Sequence, residues 1–243
     1  MPLRVRSSIR ECLRCGSRTT NLGRISRYSQ TKESDSSDSS FLLWKDWFRH
    51  FGNYLHARRL EILRDLIRTR DGSSALDVGC AAGILKAMGL SGVLGIDIVS
   101  SPAVVVLASG EYLPFRDDSF RLVFAGEVIE HLREPLRALK EWVRVLKDGG
   151  RIVISTPNGL HVSIHGGNPE HRRMFAPNDL CRTLQRLGVD VIYARGIFTS
   201  LIPGRRLFRR MPFDSVKMAI LRLPVPLSLS YDVFIAAEKR SRN

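Results

Sequence analysis

The stretch Ala75-Leu-Asp77-Val-Gly79-Cys80-Ala-Ala-Gly83-Ile84 decides the fold. A short strand-like run meets glycines at 79 and 83, and a helix-compatible segment follows. Strand, glycine turn, helix is the start of an α/β sheet whose backbone approaches a ligand closely. The letters exclude two phosphate sites, since neither GxGxxG nor GxxxxGK[ST] is present. Asp77 at the strand's end repels a phosphate and suits a cationic ligand. A second carboxylate, Asp97, closes Gly95-Ile-Asp97, where a ribose diol has an acceptor for two hydrogen bonds.

Outward from this turn, β-type runs recur at Val93–Ile96, Ala103–Ala108, Arg121–Phe124, Arg151–Ile154, Val189–Ala194 and Tyr231–Ala237. Glycine turns or helical segments separate them, which predicts a mostly parallel α/β sheet. Pro135 starts a helix whose apolar face is Leu136, Leu139, Val143 and Leu146, and Gly149-Gly150 stops it. A further helix is predicted from Pro177 to Leu187. Only Ile98 to Pro102 separate Asp97 from the next strand, whereas a parallel crossover normally takes a dozen residues or more. The usual helix between these strands is therefore absent or displaced.

The flanks differ from this core. Residues 1–40 are basic and Ser-rich, and Thr31 to Ser40 reads as a solvated linker. Residues 41–70 have helical spacing, with Phe48, Phe51, Leu55, Leu60, Ile62, Leu63, Leu66 and Ile67 as the apolar positions. Residues 71–243 form the main domain, with a basic and apolar insertion at 203–230. The part from 203 to 223 alternates cations with large apolar groups, which suits packing on the sheet or peripheral contact with a membrane. Cys12 and Cys15 make half a zinc knuckle with no second half nearby, and His161 and His165 lie in a glycine-rich loop. Four scattered cysteines among 243 residues argue against a disulfide scaffold and for a reducing compartment, hence a cytoplasmic location. The Arg- and Ser-rich first thirty residues keep an organellar address open. No run approaches the roughly 20 apolar residues of a membrane-spanning helix. The formal net charge of +14 suits a polyanion, but no aromatic-basic RNA module accompanies it.

Six motifs in order, Asp77 to Gly83, Gly95 to Asp97, Glu111 to Phe115, Asp118 to Phe120, Glu127 to Leu132 and Arg144 to Gly150, resemble class I S-adenosylmethionine-dependent methyltransferases. The resemblance covers about residues 55–240. It implies a Rossmann-like seven-stranded sheet, mostly parallel, with the last strand antiparallel and S-adenosylmethionine across the carboxyl ends of the first strands. By carry-over, Gly79 and Gly83 border the methionine part, Asp97 takes the ribose, and Ile98, Gly110 and Glu111 border the adenine; Asp77 and Cys80 are also counted among the cofactor-binding residues. Two letters depart from the pattern: Ala81 stands at the third glycine position, and Ser109 stands where the family has an acid.

Glu127-Val-Ile-Glu130-His131 is similar to the ExxEH of ubiquinone-type O-methyltransferases, and this resemblance implies a divalent cation, Mg2+ in the first instance. Magnesium prefers oxygen ligands, so His131 suits a base or hydrogen-bonding role better. With Glu127 and His131, His171 in Asn168-Pro-Glu-His171 completes the candidate catalytic set. The expectation is methyl transfer to a small or lipid-linked substrate, with oxygen favoured over nitrogen or carbon. The alternatives are an RNA or protein methyltransferase, or a binding protein that keeps the fold without turnover.

Overall fold

Strands buried on both faces of a sheet read as nearly continuous apolar runs, and β1 (Ala75–Val78) is buried at all four residues, Asp77 being its one polar side chain. The computed structural model describes residues 57–67, 74–161, 170–199, 219–220, 222–223 and 225–241. β2 (Val93–Asp97), β3 (Val104–Leu107), β4 (Phe120–Gly126), β5 (Leu146–Pro157), β6 (Val189–Thr199) and β7 (Ser230–Lys239) join β1 in one sheet of order β3-β2-β1-β4-β5-β7-β6. β1 to β5 pair in parallel, while β7 runs antiparallel to both neighbours, β5 and β6. This is the expected α/β architecture, seven-stranded with an antiparallel last strand.

The described helices include α1 (residues 57–66), the one-turn α2 (Ile84–Ala87), α3 (Pro135–Val145) and α4 (Pro177–Arg186). In α1 and just beyond it, Ile62, Leu63, Leu66 and Ile67 are buried, while Arg64 and Asp65 face outward. Phe48, Phe51 and Leu55 lie outside the described residues, as do Cys12, Cys15, His165 and almost all of the 203–223 segment. Pro135 is the first residue of α3, where a missing N–H costs nothing. The buried face of α3 is Pro135, Ala138, Leu139, Trp142, Val143 and Val145; Leu136, expected on it, is 51% exposed. A 3.6-residue period brings 135, 138, 139 and 142 to one side and turns 136 off it. Trp142 anchors the helix, fully buried, with its indole N–H donating to Gly110 O at 2.9 Å.

β2 leads into β3 with no helix between. The register explains how so short a link suffices. β3 starts beside Gly95, two residues before the end of β2. The chain thus returns by roughly 7 Å, two strand residues, instead of a whole strand length. The link is pinned at several points: Ser101 Oγ donates to Ala81 O, and Lys86 Nζ donates to Ala103 O at 3.0 Å. Ala103 lies so close to Gly83 that a Cβ there would stand 2.6 Å from the alanine Cβ. Gly83 also has φ 78°, so it meets both requirements that only glycine satisfies. With no helix over it, this edge leaves Ile98, Val99, Val105 and Leu107 exposed.

Candidate functional site

The residues expected around a cofactor gather at the carboxyl ends of β1 and β2. Asp77 is buried, and its Oδ2 has no hydrogen-bonding partner. Burial pushes its carboxyl up to about 7, against the opposing pull of the Leu85 N–H and the Lys86 ammonium. Such a group is stabilised by an incoming cation or donor. Asp97 is half-buried and accepts from Ala81 N and Val99 N, both at 3.0 Å. Each carboxylate oxygen has two lone pairs, so both keep capacity for hydroxyl donors. Ala81 reaches Asp97 by adopting φ 40°, a conformation that costs an alanine strain which glycine avoids.

The other five residues divide. Ile98 stands 76% exposed at the rim. Cys80 turns inward: its thiol is raised by burial, and it packs where a Cβ on Gly95 would meet Sγ at 2.6 Å. Gly110 is buried beneath Val78 and Trp142. The Glu111 carboxylate accepts from the Glu134 N–H at the start of α3 and faces the Ser109 hydroxyl. Gly79, at φ 63°, lies against Val128, whose Cγ2 would be 2.5 Å from an added Cβ. That contact joins the glycine turn to the Glu127–His131 segment.

The second half of the site lies at the carboxyl ends of β4 and β5, beside the amino end of antiparallel β7. Glu127 follows β4 with φ 55° and accepts from Ser155 Oγ at 3.0 Å and from Arg59 Nη2 at 3.2 Å. The same Arg59 atom donates to Asp232 Oδ2 at 2.7 Å. Arg59 comes from α1 and Asp232 from β7, and sequence reasoning missed both. A signal for Asp232 existed, since it is a lone acid within the apolar run of β7. Arg59 is one arginine among several.

Glu130 is fully buried in a single 3-10 turn, Ile129–His131, and accepts from Thr156 Oγ1 at 3.1 Å through Oε2. Its Oε1 has no partner, and burial together with the charge of Glu127 pushes the carboxyl up to about 8. The Arg172 and Arg173 N–H groups donate to Glu130 O, which folds the 170–175 loop back over this turn. His171 is thereby stacked edge-on to His131, with ring centres 4.9 Å apart. His131 Nδ1 lies 3.2 Å from Glu170 O; a carbonyl only accepts, so Nδ1 carries a proton, and in the neutral ring Nε2 presents its lone pair. His171 Nδ1 is buried without a partner, and burial lowers this imidazole's pKa. The structure thus brings Glu127, His131 and His171 into one cluster and adds Glu130, Arg59 and Asp232.

Comparisons with known proteins agree with this fold. A family model described as "Methyltransferase domain" matches residues 76–154, from β1 to β5. The β1–β5 core is thus a methyltransferase domain, and the chain resembles the class I S-adenosylmethionine-dependent methyltransferases. The methyltransferase is 28% identical to a ubiquinone biosynthesis O-methyltransferase of Leptothrix cholodnii, over 57% of this chain and 73% of that one. It is 30% identical to an uncharacterized 37.1 kDa protein in transposon TN4556 of Streptomyces fradiae, over 61% of this chain and 50% of that one. It therefore spans half the length of the transposon protein. A SAM-dependent methyltransferase from Archaeoglobus fulgidus has the same fold, with a TM-score of 0.58 at 20% identity over 82% of this chain and 99% of that one. The [4+2]-cyclase SpnF also shares the fold, with a TM-score of 0.55 at 19% identity over 76% of this chain and 82% of that one.

Donor chemistry tests the two groups the resemblance implies. The unpartnered Asp77 oxygen and the half-buried Asp97 at the strand ends fit a ligand that carries a cation and a diol, as S-adenosylmethionine does. Magnesium does not fit. It requires an octahedron of oxygens, whereas Glu127 is committed to Arg59 and Ser155, and the free atoms nearby are one carboxylate oxygen and two imidazole nitrogens.

Proposed function

We propose that the methyltransferase moves a methyl group from S-adenosylmethionine to an oxygen of a small or lipid-linked acceptor. The observation that carries this reading is the set of buried acceptor atoms lacking a donor: Glu130 Oε1 and Asp232 Oδ1, beside the lone pair of His131 Nε2. A hydroxyl supplies the missing donor and must shed its proton to be methylated. Arg59 already offsets Glu127 and Asp232, which leaves little excess negative charge to select an ammonium group. The 28%-identical relative named as an O-methyltransferase supports the same choice of atom.

When bound, S-adenosylmethionine supplies the electrophilic methyl. The chain's task is alignment and removal of the acceptor's proton. Asp77 and Asp97 hold the cofactor, with Gly79 and Gly83 shaping the turn beneath it and Ile98 at the rim. Glu130, His131 and His171 face the acceptor and take up its proton. Glu127, fixed by Arg59 and Ser155, acts as a positioning residue that sets where Val128 and Glu130 stand. The buried or half-buried free thiols of Cys80 and Cys181 accord with a reducing, cytoplasmic setting. Among the described residues no helix is long and apolar enough to cross a membrane, so a lipid-linked acceptor would be met from the membrane surface.

Calorimetric titration with S-adenosylmethionine, S-adenosylhomocysteine and NADH tests the cofactor, and mass spectrometry on a panel of phenols, catechols and amines tests the acceptor. Saturable binding of the first two ligands only, followed by methylation of hydroxyls, is the expected result. Asp97→Ala should weaken cofactor binding by about tenfold or more, the value of a charged hydrogen bond. Glu127→Gln should leave binding intact and slow transfer. Methylation confined to amines would overturn the oxygen assignment. A second reading, a fold kept for another purpose, draws on the strained Ala81 and on the fold shared with a cyclase. Cofactor binding without transfer to any acceptor would favour it.

A further inference from the structure

The proposed chemistry leaves unused a groove beside the amino end of α3. Its volume is about 500 Å³, within the range of small-molecule pockets, and its walls carry Arg133, Arg137, Lys140 and Arg173. We infer that this groove binds a phosphate-class anionic group carried by the acceptor. Arg137 and Lys140 stand three positions apart on one face of α3, with Arg133 just before the helix. Arg173 joins them from the 170–175 loop, where its N–H donates to Glu130 O at 3.1 Å. Among the described residues no carboxylate pairs with Arg133, Lys140 or Arg173. Two acids also line the groove, and both are engaged. Glu134 pairs with Arg137 at 3.2 Å, while Glu141 pairs with Arg144 at 2.7 Å and accepts from the Leu113 N–H at 3.0 Å. Three cations therefore stand without a counter-charge in one concavity, and a bound anion relieves their mutual repulsion. Arg137 is held in place by Tyr112, whose ring centre lies 4.5 Å from its guanidinium carbon and whose hydroxyl accepts from it at 2.6 Å.

The groove adjoins the His131 and His171 rings along two separate segments. Arg133 follows His131 by two residues and Arg173 follows His171 by two, so each arginine α-carbon stands within about 8 Å of its histidine's. The turn and the loop that present the two imidazoles thus also present two guanidinium groups. A guanidinium donates through a planar fork that matches phosphate oxygens, and the Lys140 ammonium adds a point charge. Leu136, 51% exposed, gives the same groove an apolar wall. A phosphate ester on a small apolar body satisfies both features. The net charge of +14 attracts any polyanion to the surface at large, whereas donors gathered in one groove select a compact anion at a set distance from the reacting hydroxyl. The inference rests on the proposed methyl transfer only in naming the bound anion as part of the acceptor. Anion binding itself is independent of cofactor use.

Calorimetric titration of the full chain with phenyl phosphate is the test, at about 0.15 M salt so that diffuse surface attraction is screened. One saturable site per chain is expected, with inorganic phosphate competing for it. Combining Arg133→Gln with Arg173→Gln should weaken binding about a hundredfold, about tenfold for each charged hydrogen bond. Combining Arg121→Gln with Arg186→Gln removes the same charge from the start of β4 and the end of α4, and should change binding less than about threefold. All four residues are exposed, so both pairs should melt as the parent does. With S-adenosylmethionine present and a phenol that bears a phosphate ester as acceptor, loss of Arg133 and Arg173 should raise KM and leave kcat near the parent value. Absence of a saturable site, equal losses in the two double variants, or binding of phosphatidylglycerol vesicles or an RNA oligomer but not of phenyl phosphate would each overturn the assignment. Phenyl phosphate binding without methyl transfer to any hydroxyl would leave an anion site and remove its link to an acceptor along with the proposed reaction. Hydroxyl methylation by a chain that does not bind phenyl phosphate would remove the groove's role alone.

Discussion

Burial lifts the Asp77 carboxyl from its ordinary range to about 7, and the sign of this shift makes a prediction. A carboxyl raised on folding contributes stability that is fully present below its unfolded pKa, near 4, and is lost as pH rises through about 7. The cofactor-free protein should therefore melt at progressively lower temperature as pH rises through about 7, and Asp77→Asn should flatten that decline. A sulfonium or ammonium ligand favours the ionised form. Its affinity should thus rise by up to about tenfold between about pH 6 and 8, with proton release on binding. Calorimetry in two buffers of different ionisation heat reads that proton, and Asp77→Asn should abolish it. Ala81 offers a second measurement. Its φ of 40° should make Ala81→Gly stabilising by about 1 kcal/mol in chemical denaturation, the strain relieved exceeding the entropy glycine adds.

Among the elements, α1 is tied to the sheet by charge as well as by its apolar face, because Arg59 spans Glu127 after β4 and Asp232 on β7. Arg59→Ala would leave Asp232 buried without its partner and should cost about 3–5 kcal/mol; adding Asp232→Asn should recover part of it, as measured by urea titration. The strands and α3 were legible because burial on both faces demands apolar runs, and because Pro135 marks a helix start. The missing β2–β3 helix was legible by counting residues. The β3 register that makes the short link workable was not, since it depends on Ser101 and Lys86 reaching over to Ala81 O and Ala103 O. Likewise the ExxEH letters led to the cluster that we propose as the acceptor side of the site. Its full composition was hidden, because Arg59 and Asp232 are 173 positions apart and meet only through tertiary packing.

Across the whole molecule, the sheet has two outer strands, β3 and β6, of different character. β3 is Val104-Val-Val-Leu107 and carries no charge, and its exposed Val105 and Leu107 continue the exposed Ile98 and Val99. Uncharged apolar edges invite pairing between copies. Val105→Lys should therefore raise the concentration at which the protein begins to aggregate, by light scattering, with little change in melting temperature. β6 carries Asp190 and Arg195, and its Asp190 pairs with Arg240 at 2.7 Å.

The position of β7 has a consequence for biosynthesis. β7 follows the other six strands of this sheet in the chain, yet it is an interior strand, flanked by β5 on one side and β6 on the other. Until it emerges, β6 lacks the strand it pairs with from Val189 to Thr199, and Arg59 has no Asp232 to meet. The nascent chain can assemble β1 to β5 and the Gly79–Gly83 turn early, while the cluster of Arg59, Glu127 and Asp232 stays open until β7 is threaded in. Translation that stalls before residue 230 would thus leave a chain with two unsatisfied sheet edges, a natural target for chaperones and proteases.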